Sequence, residues 1–134
     1  MNTKVGLIVK NKSNKFLLVK EKIDPKSKIK SQPKYVFPTL ELGEEDTIEF
    51  AKKLLIDRVL DTHDEPDEAV LSFEDDEADM HFFYLHGDYD LSKEFYQNYE
   101  SFLYVGLDDS KDEISQSAEL IFETIQYIDS INKS

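Results

Sequence analysis

Cysteine is absent from the 134 residues. Disulfides and thiol chemistry are therefore excluded, and the chain suits a reducing compartment. Long hydrophobic runs are absent too. The N-terminal stretch MNTKVGLIVKNK holds one short apolar run, VGLIV, too short for a signal-peptide core or a membrane span. Glycine is sparse, with four in the chain, and none lies in a P-loop or a GxSxG turn. HExxH and zinc-ligand spacings do not occur, and neither do internal repeats, low-complexity segments or a linker that would split the chain. The expectation is one cytoplasmic domain over residues 1–134 with no membrane partner.

What is present is core-forming material. Hydrophobic residues make up 40%, with nine Phe and seven Tyr, enough for a folded domain rather than a disordered chain. Net charge is −13 and unevenly placed: residues 1–34 hold ten Lys against Glu21 and Asp24, and the rest carries −21. An acidic surface argues against nucleic acid as a partner, while the basic lobe could grip phosphates or complement the acidic lobe within the fold or across a homodimer.

Read in order, Val5–Val9 and Phe16–Val19 flank the polar NKSNK and predict a β-hairpin. Gly6 inside the first run marks a bulge or a close backbone approach. Lys20–Lys34, with Pro25 and Pro33, reads as a Lys-rich loop. Ala69–Phe73 and Met80–Leu85 read as strands around the acidic EDDEAD, the second rich in β-formers. His81 and His86 stand five apart, so one strand sends them to opposite faces and they cannot share a metal. The aromatics Phe82–Tyr84 favour core packing over stacking on a base. Ser92 predicts the start of a short helix with Phe95, Tyr96 and Tyr99 on its apolar side. Phe102–Leu107 predicts another strand. A final helix is expected from Ser110, with Glu113 completing a capping box and Ile114, Ala118, Ile121, Ile125 and Ile128 forming its apolar stripe.

The most informative stretch is YVFPTLELGEEDTIEFAKKLLIDRVL, residues 35–60. It predicts an extended segment, a turn through Pro38 and Gly43, and an amphipathic helix. Asp46 is the expected N-cap, with Glu49 three residues on as its capping-box partner. Ile48, Ala51, Leu55 and Val59 recur at helical spacing and form the buried face. Glu49, Lys53 and Asp57 fall at i, i+4 and i+8 and predict an exposed ion-pair ladder.

Phe37-Pro38-Thr39-Leu40, Gly43-Glu44 and Lys53-Leu54-Leu55-Ile56-Asp57-Arg58 together resemble the box of the Nudix hydrolases. That box is an aromatic-Pro-Gly-Gly segment, a Gly-Glu pair and a helix with Arg-Glu-x-x-Glu-Glu. Here the turn after Pro38 is two residues shorter and one residue is inserted before Lys53. The resemblance implies an α/β/α sandwich (class α/β, α+β) around a mixed sheet, in the order β-β-loop-β-α-β-β-(α)-β-α. It also implies a magnesium-dependent nucleotide hydrolase.

The chemistry inside the box departs from that implication. Carboxylates at i, i+3 and i+4 of a helix can share a hard cation, and magnesium requires oxygen ligands. The matching positions hold Leu54, Asp57 and Arg58: a hydrocarbon, a carboxylate and a cation. A guanidinium there opposes a metal and can itself take a phosphate. By resemblance, Glu44 with Asp57 could hold one magnesium, and Lys28, Lys30, Lys34 and Arg58 are the ligand-binding candidates. A catalytic base would have to be Glu44, Asp57 or a displaced acid such as Glu100, Asp112 or Glu113. Thr39 and Leu40 replace the Gly-Gly pair, and their Cβ atoms disfavour positive φ, so the phosphate-facing loop should differ in shape.

Three functions follow. The first is a domain that binds a nucleotide or another diphosphate-containing ligand with weak or no hydrolysis. The second is an active hydrolase of nucleoside diphosphates linked to another moiety, using Glu44, Asp57 and a displaced base. The third is a protein-interaction module with a vestigial cleft.

Overall fold

Alternation in the apolar runs determines what the sheet can bury. The computed structural model describes residues 2–22, 34–64, 71–74, 78–106, 109, 112 and 114–132. The first strand, β1 (Asn2–Lys10), turns through Asn11–Lys15 into β2 (Phe16–Glu21). The turn is closed by Asn11, whose Oδ1 accepts from the backbone N–H of Ser13 (3.0 Å) and of Lys15 (2.9 Å). Asn14 takes the left-handed conformation at φ 62°, which its short polar side chain tolerates. The expected hairpin is present.

The strands that follow are β3 (Thr39–Glu41), β4 (Leu71–Glu74), β5 (Ala78–His86) and β6 (Tyr99–Val105). Helix α1 (Ile48–Val59) lies between β3 and β4, the short α2 (Phe95–Asn98) precedes β6, and α3 (Gln116–Asn132) follows it. The sheet runs β4-β5-β1-β2-β6, with β3 joined to the first half of β1. Strands β1 and β5 are parallel in continuous register from Asn2↔Ala78 to Lys10↔His86, and the other pairings are antiparallel. The sheet is mixed, as expected.

Period-two alternation divides the core into two halves. Val5, Leu7, Val9, Leu17, Val19, Phe83 and Leu85 face α1 and meet Ala51, Leu55, Ile56 and Val59. Ile8, Phe16, Leu18, Phe82 and Val105 face the other way and meet Ala118, Ile121 and Phe122 of α3. This is the α/β/α sandwich. Because β1 is covered on both faces, its central run is apolar throughout. On the α3 side the ring of Phe37 packs against Phe122 (5.2 Å between centroids), Phe82 (6.4 Å) and Phe16 (6.5 Å). Phe82 is therefore core, fully enclosed, and its ring lies across Gly6. Gly6 thus marks a close approach of a ring to backbone.

Several boundaries differ from the sequence reading. Helix α3 begins at Gln116, where Ser115 Oγ accepts from Ala118 N–H at 3.1 Å; Ser110 and Glu113 lie outside the described residues. Ile114 is buried as expected, but it precedes the helix and bridges to Tyr35 as an extended residue. In α2 Phe95 is buried while Tyr96 is 57% exposed, so Tyr96 is not on the apolar side. Tyr99 leaves that helix and opens β6, which starts three residues earlier than expected; Leu107 lies outside the described residues. The pairing of β2 with β6 shifts register between Lys20↔Ser101 and Glu21↔Tyr99, leaving Glu100 as an extra, bulged residue. The bulge changes the phase of the strand. Leu103 and Val105 sit on the α3 side, yet Tyr99 joins the α1 side. Among the described residues, no helix is long and apolar enough to cross a membrane.

Candidate functional site

The turn before α1 is built by its acids. Gly43 N–H donates to Asp46 Oδ2 at 2.7 Å, and Asp46 N–H donates back to Gly43 O at 3.1 Å. Asp46 therefore closes the Gly43-Glu44 turn and does not cap the helix. The N-cap is Thr47, extended at φ −92° and ψ 159°, whose Oγ1 accepts from Phe50 N–H at 3.1 Å. With Phe50 three residues after the cap, no capping box forms. Glu49 instead pairs with Lys52 at 2.8 Å, so the expected ladder through Lys53 is replaced by an i, i+3 pair. Lys52 also lies 5.1 Å over the Phe83 ring, which holds its stem against the sheet.

At its far end α1 is tied down by the segment before α2. Leu60 N–H donates to Ile56 O (2.8 Å), Ser92 N–H to Val59 O (3.0 Å) and Asp61 N–H to Asp90 O (2.9 Å). The first two satisfy helix-terminal carbonyls, and together the three tie down the last turn, which carries Arg58. Ala51, Leu55 and Val59 are buried as expected, Leu54 and Arg58 are partly covered, and Asp57 and Lys53 are exposed.

The residues matching the Gly-Gly pair do not form a phosphate loop. Thr39 and Leu40 belong to β3, paired with Gly6 and Val5, and Pro38 O accepts from Leu7 N–H at 2.9 Å. Among the described residues, positive φ occurs at Asn14 and Gly87, neither of them near this segment in sequence. The segment is an extended sheet strand whose carbonyls and amides are used by β1.

The predicted acid Glu44 is exposed at the turn, as are its neighbours Glu41 and Glu45. Asp57 stands near the other end of α1, about 13 Å of helical rise beyond Ile48. Glu100 is exposed at the bulge, and the bulge hands the α1-facing position to Tyr99. Asp112 is exposed, while Glu113 lies outside the described residues. No group of three His, Cys, Asp or Glu among the described residues is arranged to hold a metal ion. A divalent cation fits this donor set poorly: the box-matching positions supply one carboxylate, a leucine and a guanidinium, and Glu49, the other acid of α1, pairs with Lys52.

Of the predicted ligand contacts, Lys28 and Lys30 lie outside the described residues. Lys34 is exposed beside Tyr35, whose hydroxyl is 2.9 Å from Ser101 Oγ and whose ring carries Lys20 Nζ at 4.8 Å. Arg58 makes no hydrogen bond or ion pair with any described residue. Its charge is nonetheless felt by Tyr99. Burial pushes the Tyr99 hydroxyl up to about 12, Glu21 raises it further, and Arg58 pulls it partly back. Arg58 and Glu21 are thus the two charges that act on the Tyr99 hydroxyl, in opposite senses. Sequence reasoning placed Tyr99 on a helix; only the bulge puts it on the α1 side.

A separate open hollow of about 370 Å³ lies along the exposed side of α1, lined by Phe50, Lys53, Ile56 and Asp57 with Thr62, His63 and Asp64. Arg58 takes no part in its lining.

No family model matches the sequence, and no curated protein is similar to it in sequence. Solved structures do match along nearly the whole chain. A MutT protein from Methanosarcina mazei is similar with a TM-score of 0.65 at 14% identity, over 99% of this chain and 96% of that one. A MutT Nudix hydrolase from Burkholderia pseudomallei matches with a TM-score of 0.61 at 16% identity, over 91% and 95%. An Ap4A hydrolase from C. elegans matches with a TM-score of 0.65 at 11% identity, over 97% and 98%. The fold is that of the Nudix hydrolases.

Proposed function

We propose that the chain is one Nudix-like domain, over residues 1–134, that binds a nucleotide or another diphosphate-containing ligand and hydrolyses it weakly or not at all. The observation that carries this reading is the trio on α1. Leu54 is half-covered hydrocarbon, Asp57 is an exposed carboxylate, and Arg58 is a half-covered cation without a hydrogen bond or ion pair among the described residues. Hydrolysis at phosphorus needs an activated water and stabilisation of the charge that develops. One carboxylate beside a guanidinium supplies neither a closed metal site nor a free base. Binding makes a smaller demand, and a guanidinium with surface lysines meets it.

Supporting the ligand class are the fold and the two neighbours whose names specify a nucleotide-related reaction: an Ap4A hydrolase and a bifunctional enzyme with an ADP-ribose pyrophosphatase half. The displaced acids do not favour the active-hydrolase reading: Glu100 is bulged and Glu44 stands at the opposite end of α1 from Asp57.

The test is a pair of measurements on the full chain with ADP-ribose, a dinucleoside polyphosphate and an oxidised nucleoside triphosphate. Saturable binding without magnesium-dependent release of phosphate or nucleoside monophosphate is the expected result. Hydrolysis at about one per second or faster would select the active enzyme, and no binding to any of the three would leave a protein-interaction module.

A further inference from the structure

Strand β6 ends the sheet: it pairs with β2 on one side and with no described strand on the other. The hydrogen bonds of β2 decide which groups that free side presents. Val19 N–H donates to Val36 O (2.8 Å), and Val19 O accepts from Val36 N–H (2.9 Å). Both backbone groups of Val19 therefore point away from β6. Phe102 stands opposite Val19, so this pair is not hydrogen-bonded and the N–H and C=O of Phe102 point outward. By the alternation of an antiparallel ladder, so do those of Tyr104, opposite Leu17. None of these four groups has a partner among the described residues. Either end of the open stretch is closed: Glu100 is bulged, and Gly106 N–H donates to Asp109 Oδ2 at 2.7 Å. Native sheet edges are usually charged or covered. This one carries aromatics, with Phe102 37% exposed and its ring 6.0 Å from that of Tyr104.

We infer that this edge pairs with the same edge of a second copy of the chain, antiparallel about a two-fold axis at Leu103. The outward groups select the register. Setting Phe102 opposite Tyr104 of the second copy, with the reciprocal pair, uses all four free groups of each edge. An axis at Phe102 would set Tyr104 against the bulged Glu100. An axis at Tyr104 would set Phe102 against Gly106, whose N–H is already taken. The side chains agree with the chosen register. Phe102 and Tyr104 lie on the α1 face, where Phe102 also meets Phe95 at 5.9 Å, so the seam extends an aromatic row from one copy into the other. Leu103, on the α3 face, meets Leu103 of the second copy in a pair without hydrogen bonds, where side chains come closest. Charge specifies the same partner. The exposed Glu100 comes abreast of Gly106 of the second copy. With no side chain on Gly106, Lys15 lies beside it, its Cγ 3.9 Å from where a Cβ would stand. Lys15 is half-exposed and 3.8 Å from Asp109, so its ammonium can also meet Glu100 of the second copy. A two-fold seam makes that opposite-charge contact twice. Net charge of −13 on each copy opposes association, so the dimer should need raised concentration.

The experiment is amide hydrogen exchange by NMR on the full chain, from micromolar to millimolar protein, with sedimentation of the same samples. Mass should double as concentration rises. In step, exchange should slow at the Phe102 and Tyr104 amides and change little at Leu103, whose amide already bonds β2. Phe102→Pro removes one outward N–H and no bond to β2, so the ladder survives while dimer dissociation rises about tenfold or more. Chains carrying Glu100→Lys, mixed with chains carrying Lys15→Glu, should dimerise more tightly than either variant alone, because both seam contacts are then opposite in charge. If Phe102→Pro fails to fold, exchange in the unmodified chain still decides. A monomer at every concentration overturns the inference, as does a dimer in which the Phe102 and Tyr104 amides exchange unchanged. Protection of those two amides in the monomer overturns it as well, because the chain's own residues would then cover the edge.

Discussion

Gly6→Ala is the substitution whose outcome the packing decides most sharply. Gly6 sits in the middle of β1, opposite Phe82 in the parallel pair with β5. A Cβ built on it would run into the Phe82 ring, with Cζ at 2.9 Å and the nearer ring carbons closer still. The ring cannot swing clear. Phe82 is 0% exposed and held edge-on by Phe37. One added methyl in such a place forces off-rotamer side chains or a backbone shift, costing about 1–3 kcal/mol. Replacing a strand glycine by alanine returns about 0.5–1 kcal/mol of chain entropy, so the net loss should be about 1–2 kcal/mol. For a chain of this size that corresponds to a fall in Tm of about 3–8 °C. Phe82→Leu makes room at the same point but sacrifices ring contacts. Thermal and urea unfolding of the two single variants and the double variant form a thermodynamic cycle. The double variant should be more stable than the sum of the singles by about 1 kcal/mol or more, since the methyl fills space the ring vacated. Additivity within about 0.5 kcal/mol, or an unchanged Tm for Gly6→Ala, would refute the claim that Phe82 occupies the missing side chain's place.

Other expected outcomes test separate parts of the structure. Leu55→Ala, at a residue 1% exposed against the sheet, should lower stability by about 2–5 kcal/mol in urea unfolding. Thr47→Ala should cost about 1 kcal/mol, whereas Glu49→Ala should cost only a few tenths, because the cap is Thr47 and Glu49 makes an exposed pair. In an alkaline titration followed at 295 nm, the latest-ionising phenol should disappear in Tyr99→Phe. Because the folded state holds the Tyr99 proton up to about 12, above the ordinary value of 10.0, its contribution to stability is complete below 10 and is lost as pH rises towards 12. The phenylalanine variant should therefore lose less stability across that window. Calorimetry with magnesium alone should show weak binding, since the box-matching positions of the helix offer one carboxylate, Asp57. Leu54→Glu combined with Arg58→Glu should tighten magnesium binding while turnover stays low, because Thr39 and Leu40 remain in β3.

The fold was legible where one physical signal dominated. VGLIV and FLLV could only be strands of a buried sheet, and the spacing of Ala51, Leu55 and Val59 could only be one helix face. Boundaries were less legible because two residues could serve the same end. Asp46 and Thr47 are both good caps, and the choice fell to Thr47 because Asp46 is used by the Gly43 amide. Ser110 and Ser115 both begin helix-like patterns, and Ile114 continues the apolar spacing, yet it is drawn into a bridge with Tyr35. At the candidate site, Leu54, Asp57 and Arg58 were readable by position alone. Tyr99 was not, since Tyr-Glu-Ser fits a regular strand as well as a bulged one. Only pairing with Lys20 and Glu21 reveals that Glu100 is the extra residue.

Whether the unmodified chain turns over a bound diphosphate decides between binding and catalysis most directly. Phosphorus NMR of the protein with ADP-ribose and magnesium reads this without coupling enzymes. The expected spectrum shows the diphosphate resonances shifted or broadened by binding and intact over hours. Conversion to monophosphates at about one per second or faster, the range of working enzymes, would contradict it.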